Sequence, residues 1–486
     1  MGMAAAGGGR LGRPLSRGGS NKQTPRTINS IRIALFAAFI TLLVLRGTIG
    51  VNRLAHSGVA VAGSYGAAAD ARVVEDIERV LREIRSDSGP DDDDAAFSSA
   101  TQYYDHGNAW STTNYRLGPR VTRWNAKRRQ WLYRNPGFPS RDARGNPRVL
   151  LVTGSPPGPC DRPIGDHYLL KATKNKIDYC RLHGIEIVHN MAHLDTELAG
   201  HWSKLPLLRR LMLAHPEVEW VWWMDSDALF TDMGFELPLE RYMVSNLVIH
   251  GHQDLLFKTR SWVAINTGSF LLRNCQWSLE LLDAWAIMGP KGRVREEAGR
   301  LLTASLKGRP AFEADDQSAL IHLLLTEKDT WMEKVYLENE YYLHGFWAGL
   351  VDNYEQVMAK HHPGYGDDRW PFVTHFVGCK PCGGRSRDYA LGRCVKGMER
   401  AFNFADNQVL QLYGFLHQSL ASAEVKRVAN RSANPLEAKE AALAFLRKPK
   451  APAIKSQDVR KNRKRLVKRE SVLARILRRL GGRFGF

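Results

Sequence analysis

The body of this 486-residue chain lacks an excess of charge of either sign, although the whole sequence carries a net charge of +19. Residues 1–32 contain six basic and no acidic residues, and residues 447–486 contain fifteen basic and two acidic ones. Residues 33–446 are therefore neutral overall. A nucleic-acid-binding domain needs positive charge on its folded face, so the distribution argues against a nucleic-acid partner.

The chain also lacks an uncharged apolar run of the roughly 20 residues that span a bilayer. Residues 33–45 contain no charge, and the apolar stretch resumes after Arg46 as far as Val51. This pattern fits either a cleaved signal peptide or a span in which Arg46 reaches toward an interface. No small-x-small cleavage site follows closely and the basic flank is N-terminal. We therefore predict a signal anchor over residues 31–51, with the tail 1–30 in the cytosol and the body in the lumen.

Cysteine is scarce, with six residues in the whole chain. His375, Cys379, Cys382 and Cys394 have a spacing that a Cys₃His zinc site would tolerate. Thiols in an oxidising lumen tend to pair, so we favour disulfides that involve Cys379, Cys382 or Cys394. A lumenal body would also expose the N-x-S acceptor at Asn430 to glycosylation.

No internal repeat of fixed period divides the chain. We predict a stem over residues 52–114, in which the helical spacing of apolar residues over 71–85 indicates an amphipathic helix. The four aspartates of 91–94 are interpreted as a solvated linker. We predict a catalytic domain over 115–446, followed by a basic, disordered tail over 447–486.

Strand and helix patterns alternate at the start of the predicted domain. Short apolar strands and longer helices follow one another at 148–153, 168–182, 185–188, 204–214 and 220–224. Alternation with continuously apolar strands is typical of a mostly parallel sheet with helices on both faces. Ligands of such sheets bind beyond the carboxyl ends of the strands.

The acid pair Asp225 and Asp227 follows the apolar run Trp220–Met224 directly. In extended backbone, residues i and i+2 point to the same side, so the two carboxylates should converge. Converging carboxylates resist joint ionisation unless a cation neutralises them. Mn²⁺ or Mg²⁺ takes oxygen ligands and keeps positions for phosphates, so the pattern favours a metal site for a nucleoside diphosphate.

Four segments resemble plant glycosyltransferase family 34, most closely its xyloglucan 6-xylosyltransferases. They are WWMDSDALFTDM (222–233), NTGSFLLRNCQW (266–277), FEADDQS (312–318) and HFVGCKPC (375–382). The resemblance covers residues 115–440 and implies a GT-A fold in a single-span type II Golgi membrane protein. It also implies retaining transfer of α-xylose from UDP-xylose to O6 of glucose in a β-1,4-glucan. The alternatives are a UDP-galactose-dependent galactomannan galactosyltransferase and a weakly active scaffold partner in a Golgi complex. We also predict a homo-oligomer, or a hetero-oligomer with other Golgi glycosyltransferases.

The resemblance also assigns candidate site residues. Asp225, Asp227 and His375 would bind Mn²⁺ or Mg²⁺, and Lys380 would face the diphosphate. Further candidates for contacts with the donor nucleotide sugar are Gly154, Ser155, Lys204, Ser226 and Asn266.

Asp315, Asp316 and Gln317 open an apolar helix, where acids also serve as caps. In the family these positions line the reacting sugar, either as a nucleophile or as groups that stabilise positive charge during front-face transfer. The aromatic residues of 341–347 belong either to a glucan-stacking groove or to the core.

Overall fold

The computed structural model describes residues 115–447, apart from 143, 193, 199, 384–388 and 431–438. The α-helices are α1 (Trp124–Arg134), α2 (Pro163–His183), α3 (Lys204–Ala214), α4 (Gln276–Ala286), α5 (Arg293–Ser305), α6 (Asp316–Thr326), α7 (Lys328–Trp331), α8 (Tyr354–Lys360), α9 (Leu391–Leu412) and α10 (Lys439–Arg447). The strands are β1 (Val149–Gly154), β2 (Glu186–Asn190), β3 (Trp220–Met224), β4 (Ala228–Phe230), β5 (Leu247–Gly251), β6 (Ile265–Arg273), β7 (Val335–Glu338), β8 (Gly345–Phe346), β9 (Val373–His375), β10 (Phe415–His417) and β11 (Val425–Arg427).

The predicted signal anchor, the stem helix and the basic tail beyond residue 447 lie outside the described residues. Within the described part of the chain, none of the helices combines the length and the apolar character needed to cross a bilayer.

Six strands form the central sheet in the order β2-β1-β3-β6-β5-β7. The pairs β1–β2, β1–β3 and β5–β7 are parallel, whereas β6 runs antiparallel to both of its neighbours. The sheet is therefore mixed, with five strands in one direction, and the predicted α/β class with a mostly parallel sheet is confirmed.

Strand β3 lies in the middle of this sheet, and all five of its residues are buried. Val221 and Trp223 belong to the apolar core on one face, and Trp220, Trp222 and Met224 belong to the core on the other. Successive side chains of a strand point to opposite faces, so a strand covered on both sides needs no polar alternation. This explains the continuous apolar run that precedes the acid pair.

Helices pack on both faces of the sheet, as predicted. One core contains Leu208 of α3, Leu282 of α4 and Leu320 of α6. The other contains Tyr179 of α2 and Ala405 of α9. Helix α3 has the predicted bounds, whereas α2 begins at Pro163, five residues earlier than predicted, because proline is well suited to the first helical position.

Three further strands form a second sheet in the order β4-β9-β8, and its first strand, β4, directly follows the acid pair. Strand β4 begins at Ala228, immediately after Asp227, and pairs antiparallel with β9 so that Ala228 faces His375. The strand that carries the histidine is thereby held beside the turn that carries the two acids. This pairing decides the geometry of the candidate site.

Candidate active site

The acid pair lies in the turn between β3 and β4. The amide of Asp225 donates to the carbonyl of Gly268 at 2.8 Å, and the indole Nε1 of Trp223 donates to Asp225 Oδ1 at 2.6 Å. The Ala228 amide also reaches back to the Asp225 carbonyl at 3.2 Å. The two carboxylates converge as predicted, but they do so through a turn rather than through the alternation of an extended strand.

His375 joins the acid pair from β9. Its Nε2 lies 3.1 Å from Asp227 Oδ1 and 3.7 Å from Asp225 Oδ2, and the residue is almost fully buried. Burial alone would lower the pKa of His375, but the charge and hydrogen bond of Asp227 outweigh it and raise the pKa. Reciprocally, burial would raise the pKa of Asp227, and the histidine lowers it. The imidazole and the carboxylate thus stabilise each other.

These three side chains fit a divalent cation. One ligand atom from each lies within 4.8 Å of the others, and within the described residues no other group of three His, Cys, Asp or Glu side chains meets that condition. Two carboxylates and an imidazole suit a divalent ion that accepts oxygen and nitrogen ligands. The site predicted from residues 150 positions apart is brought together by the fold.

His344, which the sequence interpretation did not single out, contacts His375, the third candidate ligand. Its Nδ1 lies 3.0 Å from Nδ1 of His375. If the proton is assigned to Nδ1 of His375, that nitrogen donates to His344 and leaves Nε2 free as a metal ligand, which is the arrangement usual for ligating histidines. The only signal in the sequence was a histidine within the aromatic segment 341–347.

The rest of that segment contributes to the core. Tyr341 is 5% exposed and Trp347 is 1% exposed. These two rings therefore belong to the core and do not form a glucan-stacking groove, which was the other interpretation of residues 341–347.

Lys204, at the start of α3, lies beneath the acid pair and is 3% exposed. Its Nζ lies 2.9 Å from Asp316 Oδ2, 3.4 Å from Asp225 Oδ1 and 3.0 Å from the carbonyl oxygen of Thr267. Burial would lower the pKa of Lys204, but the two carboxylates raise it above its ordinary value. The ammonium therefore connects the acid-pair turn with α6 and β6.

Asp315 caps α6. Its Oδ1 accepts from the Ser318 amide at 2.8 Å, and its Oδ2 pairs with the buried guanidinium of Arg309 at 2.9 Å. Both carboxylate oxygens are therefore bonded within the protein. The capping interpretation applies to this residue, and that bonding gives no support to the catalytic role considered for Asp315.

Asp316 and Gln317 face the strands instead. Asp316 is 4% exposed and pairs with Lys204. The Gln317 Oε1 accepts from Asn266 Nδ2 at 3.2 Å and from the Thr267 amide at 3.4 Å. These bonds join the candidate segment of α6 to the Asn266–Gly268 segment at the start of β6.

Gly154 and Ser155 lie at the same edge of the sheet, at the end of β1. A Cβ placed on Gly154 would lie 3.7 Å from the ring of Trp223, so this strand end adjoins the end of β3. The Ser155 hydroxyl is hydrogen-bonded to Nε2 of His189 at 3.0 Å. Both predicted residues therefore lie at the edge of the sheet where ligands of such sheets bind.

Lys380 is exposed, and the segment around it is fixed by two disulfides, Cys379–Cys394 and Cys160–Cys382. These bonds confirm the predicted disulfides. The zinc alternative is wrong, because its three cysteines are paired and its histidine faces Asp227. Among the described residues, no hydrogen bond or ion pair joins Lys380 to Asp225 or Asp227.

Asn175 and Lys176 of α2 were missed by the sequence interpretation. Both are almost fully buried and hydrogen-bond to the backbone around β4. The available signal was a lysine on the side of α2 that also carries Tyr168, Ala172 and Tyr179.

Comparison with known proteins identifies the family. The family model described as galactosyl transferase GMA12/MNN10 matches residues 145–386. Probable glycosyltransferase 3 of Oryza sativa subsp. japonica is 70% identical over 459 residues, which cover 91% of this chain and 98% of that protein.

Two relatives from Arabidopsis thaliana have more specific names. Probable xyloglucan 6-xylosyltransferase 5 is 63% identical over 433 residues, covering 89% of this chain and 90% of that protein. Xyloglucan 6-xylosyltransferase 2 is 52% identical over 443 residues, covering 86% and 94% respectively. The similarity thus extends well beyond the segments that surround the site.

Proposed function

Because this chain belongs to glycosyltransferase family 34, the galactosyl transferase GMA12/MNN10 family, we propose that it transfers α-xylose from UDP-xylose to O6 of glucose in a β-1,4-glucan. Relatives named as xyloglucan 6-xylosyltransferases, similar over most of both chains, support the donor and the acceptor. The observation that carries the chemistry is the convergence of Asp225, Asp227 and His375 at the edge of the sheet where ligands bind. The mixed sheet with this acid pair at its edge supports the GT-A type of fold.

Asp225, Asp227 and His375 would hold the ion, Mn²⁺ or Mg²⁺. When bound, the ion would stabilise the negative charge of the departing nucleoside diphosphate. The turn between β3 and β4 holds the two carboxylates, and β9 brings the imidazole. His344 keeps Nε2 of His375 directed at the carboxylates by engaging the other ring nitrogen.

The protein groups that would bind the donor surround this edge. Gly154, Ser155 and Ser226 are proposed to contact the nucleotide, and Lys380 is proposed to meet the diphosphate as a point charge. The exposure of Lys380 and the two flanking disulfides support that role, since they leave an accessible amine on a fixed segment. Lys204 is buried, so we propose that it acts on the site through Asp225 and Asp316 rather than on the nucleotide itself.

For the sugar, we propose front-face transfer in which Gln317, rather than a carboxylate nucleophile, stabilises the positive charge that develops at the anomeric carbon. A carboxylate nucleophile needs a free oxygen that can reach the sugar. Both oxygens of Asp315 are bonded within the protein, and Asp316 is buried against an ammonium. The amide of Gln317 is joined to Asn266, which places a neutral polar group between β6 and α6.

We propose that the protein is a single-pass type II Golgi membrane protein with its catalytic domain in the lumen, acting with other Golgi glycosyltransferases. The basic segment 1–32 before the apolar run supports this orientation. Two disulfides support an oxidising compartment. In that compartment Asn430 would be accessible for glycosylation.

The direct test is a donor and acceptor screen of the purified full-length chain. UDP-xylose and UDP-galactose are each offered with cellohexaose or a manno-oligosaccharide, with Mn²⁺ and after chelation. Metal-dependent transfer of xylose to cellohexaose is expected, with a product of retained configuration by NMR. Galactose transfer to the manno-oligosaccharide would replace the proposal with a galactomannan activity, and absence of all transfer would favour a scaffold role.

A further inference from the structure

A lysine is buried directly under the turn that carries the acid pair. Lys176 of α2 is 1% exposed, and its Nζ lies 2.7 Å from the carbonyl oxygen of Ala228 and 3.4 Å from that of Ser226. Those two carbonyls flank Asp227 in the chain. The ammonium therefore bonds to the backbone on both sides of one candidate ligand.

The preceding residue holds the other end of the same segment. The side-chain amide of Asn175, which is 3% exposed, donates to the carbonyl of Phe230 at 2.9 Å and accepts from the Phe230 amide at 2.8 Å. Asn175 and Lys176 thus bond four backbone groups between residues 226 and 230. Adjacent positions on one helix fix the whole stretch from the acid pair through β4.

Burial of the Lys176 ammonium beneath the acid-pair turn is energetically unfavourable. Burying a charge removes it from water at a large desolvation cost, and an apolar side chain of similar volume is often the more stable choice. The described hydrogen bonds of Lys176 go to carbonyl oxygens, with no carboxylate among them. Core packing alone therefore favours an apolar side chain here, whereas only a polar group can hold two carbonyls of the acid-pair turn.

We propose that Asn175 and Lys176 are positioning residues that fix the acid-pair turn in its ligand-binding geometry before the metal arrives. The inference rests on the proposed metal-dependent function. Groups behind the ligands of a metal site commonly contribute about ten- to a hundred-fold to metal affinity. A preformed turn would spare the ion the entropic cost of ordering the two carboxylates.

The direction in which Mn²⁺ affinity changes when Lys176 is replaced distinguishes a positioning role from a purely electrostatic one. Lys176 carries a positive charge near the carboxylates, and that charge by itself opposes the binding of a cation. If charge were its only influence, replacing it with a neutral side chain would strengthen Mn²⁺ binding. If it positions the turn, the same replacement weakens Mn²⁺ binding.

The test measures Mn²⁺ affinity of the purified full-length chain by electron paramagnetic resonance, without donor or acceptor. Lys176→Met is compared with Lys174→Met, which removes a half-exposed lysine of the same helix that pairs with Asp178 and Asp406. We expect Lys176→Met to lose about ten- to a hundred-fold in affinity and Lys174→Met to stay within about threefold. Unchanged or tighter binding by a folded Lys176→Met protein would overturn the proposal.

A second measurement needs no variant and so does not depend on whether Lys176→Met folds. Hydrogen exchange of the wild-type chain is followed in the peptide that covers residues 226–230, after chelation and at an Mn²⁺ concentration at which electron paramagnetic resonance shows the ion to be bound. A positioned turn is expected to show the same protection in both states, whereas a strong gain of protection on adding Mn²⁺ would contradict the proposal. Neither readout requires sugar transfer, so a wrong donor assignment would leave both results interpretable.

Discussion

Gly268 leaves the space that the imidazole of His375 occupies. A Cβ on Gly268 would lie 2.7 Å from Nδ1 of the histidine and 2.9 Å from Oδ1 of Asn266, closer than side-chain atoms approach one another. The glycine is therefore required by proximity rather than by an unusual backbone angle. The first segment of β6 and the histidine of β9, far apart in the chain, are fitted to each other at this point.

We predict that Gly268→Ala disrupts the metal site while the domain still folds. The new methyl group must displace the His375 ring, which is held between Asp227 and His344. Overpacking of this kind costs about 1–3 kcal/mol. Isothermal titration should show at least a tenfold loss of Mn²⁺ affinity.

The control for this substitution is Gly349→Ala, since no atom lies within 4 Å of a Cβ at that glycine. Its Mn²⁺ affinity should equal that of the wild type. Wild-type affinity in Gly268→Ala as well would show that His375 is not held in this position by the glycine.

Asp227→Ala is expected to abolish sugar transfer and leave a folded protein. The substitution removes one of three candidate ligands and the main partner of His375. Ligand binding to the native state raises the melting temperature, so Mn²⁺ should stabilise the wild type and not the variant. Asp254→Ala, which removes a carboxylate exposed on the surface, is the matched control. Retained activity in Asp227→Ala would refute the metal assignment.

Lys204→Met is expected to lower the free energy of unfolding by about 3–5 kcal/mol, because it leaves the buried carboxylate of Asp316 without its partner. Adding Asp316→Asn to this variant should recover part of the loss, since the remaining group is neutral. Lys258→Met, at an exposed ion pair, should change stability by less than about 1 kcal/mol. Urea unfolding of the wild type, these three variants and Asp316→Asn alone measures these effects, and losses in the double variant that equal the sum of the two single losses would contradict the pairing.

Stability should fall in acid as His183 becomes protonated. Burial lowers the pKa of His183 from 6.5 to about 4. Its contribution to stability is therefore complete above pH 6.5 and is lost as the pH falls toward 4, by about 3 kcal/mol in total. Urea unfolding at pH 7 and pH 4 should show a smaller loss for His183→Gln than for the wild type. Equal losses in the two proteins would exclude this origin.

Peptide mapping without reduction should recover the pairs Cys160–Cys382 and Cys379–Cys394 and leave Cys180 and Cys275 as thiols. Removing the first pair by Cys160→Ser with Cys382→Ser should cost about 2–5 kcal/mol. Cys180→Ser removes a buried thiol outside both pairs and serves as the comparison. One equivalent of tightly bound zinc in chelator-washed protein would contradict the disulfide assignment.

The spacing of apolar residues, together with the glycine and proline residues that end helices and strands, was sufficient to predict much of the fold. Helix α3 has the bounds that its apolar spacing and the following Pro216 predicted. The unbroken apolar run of β3 indicated a strand covered on both faces, and the two cores on either side confirm it. The antiparallel direction of β6 was not predicted, because strand direction depends on pairing partners that local sequence does not specify.

The acid pair itself was visible in the sequence, and so, through family resemblance, was His375. The mutual arrangement was not visible, because a turn and the pairing of β4 with β9 create it. The sequence likewise did not distinguish the roles of Asp315 and Asp316, which depend on the partners that the fold gives them. Asp315 bonds to Arg309 and caps α6, whereas Asp316 meets Lys204 from α3.

The sequence by itself determined the class of fold, the location of the acid pair at the end of a buried strand, and the family. These features depend on side-chain type and local spacing. Only the tertiary structure decided that Lys204 bridges two carboxylates, that Gly268 makes room for His375, and that Lys176 lies beneath the turn. Those contacts join residues far apart in the chain, and a buried polar group reveals its role only when its bonding partners are known.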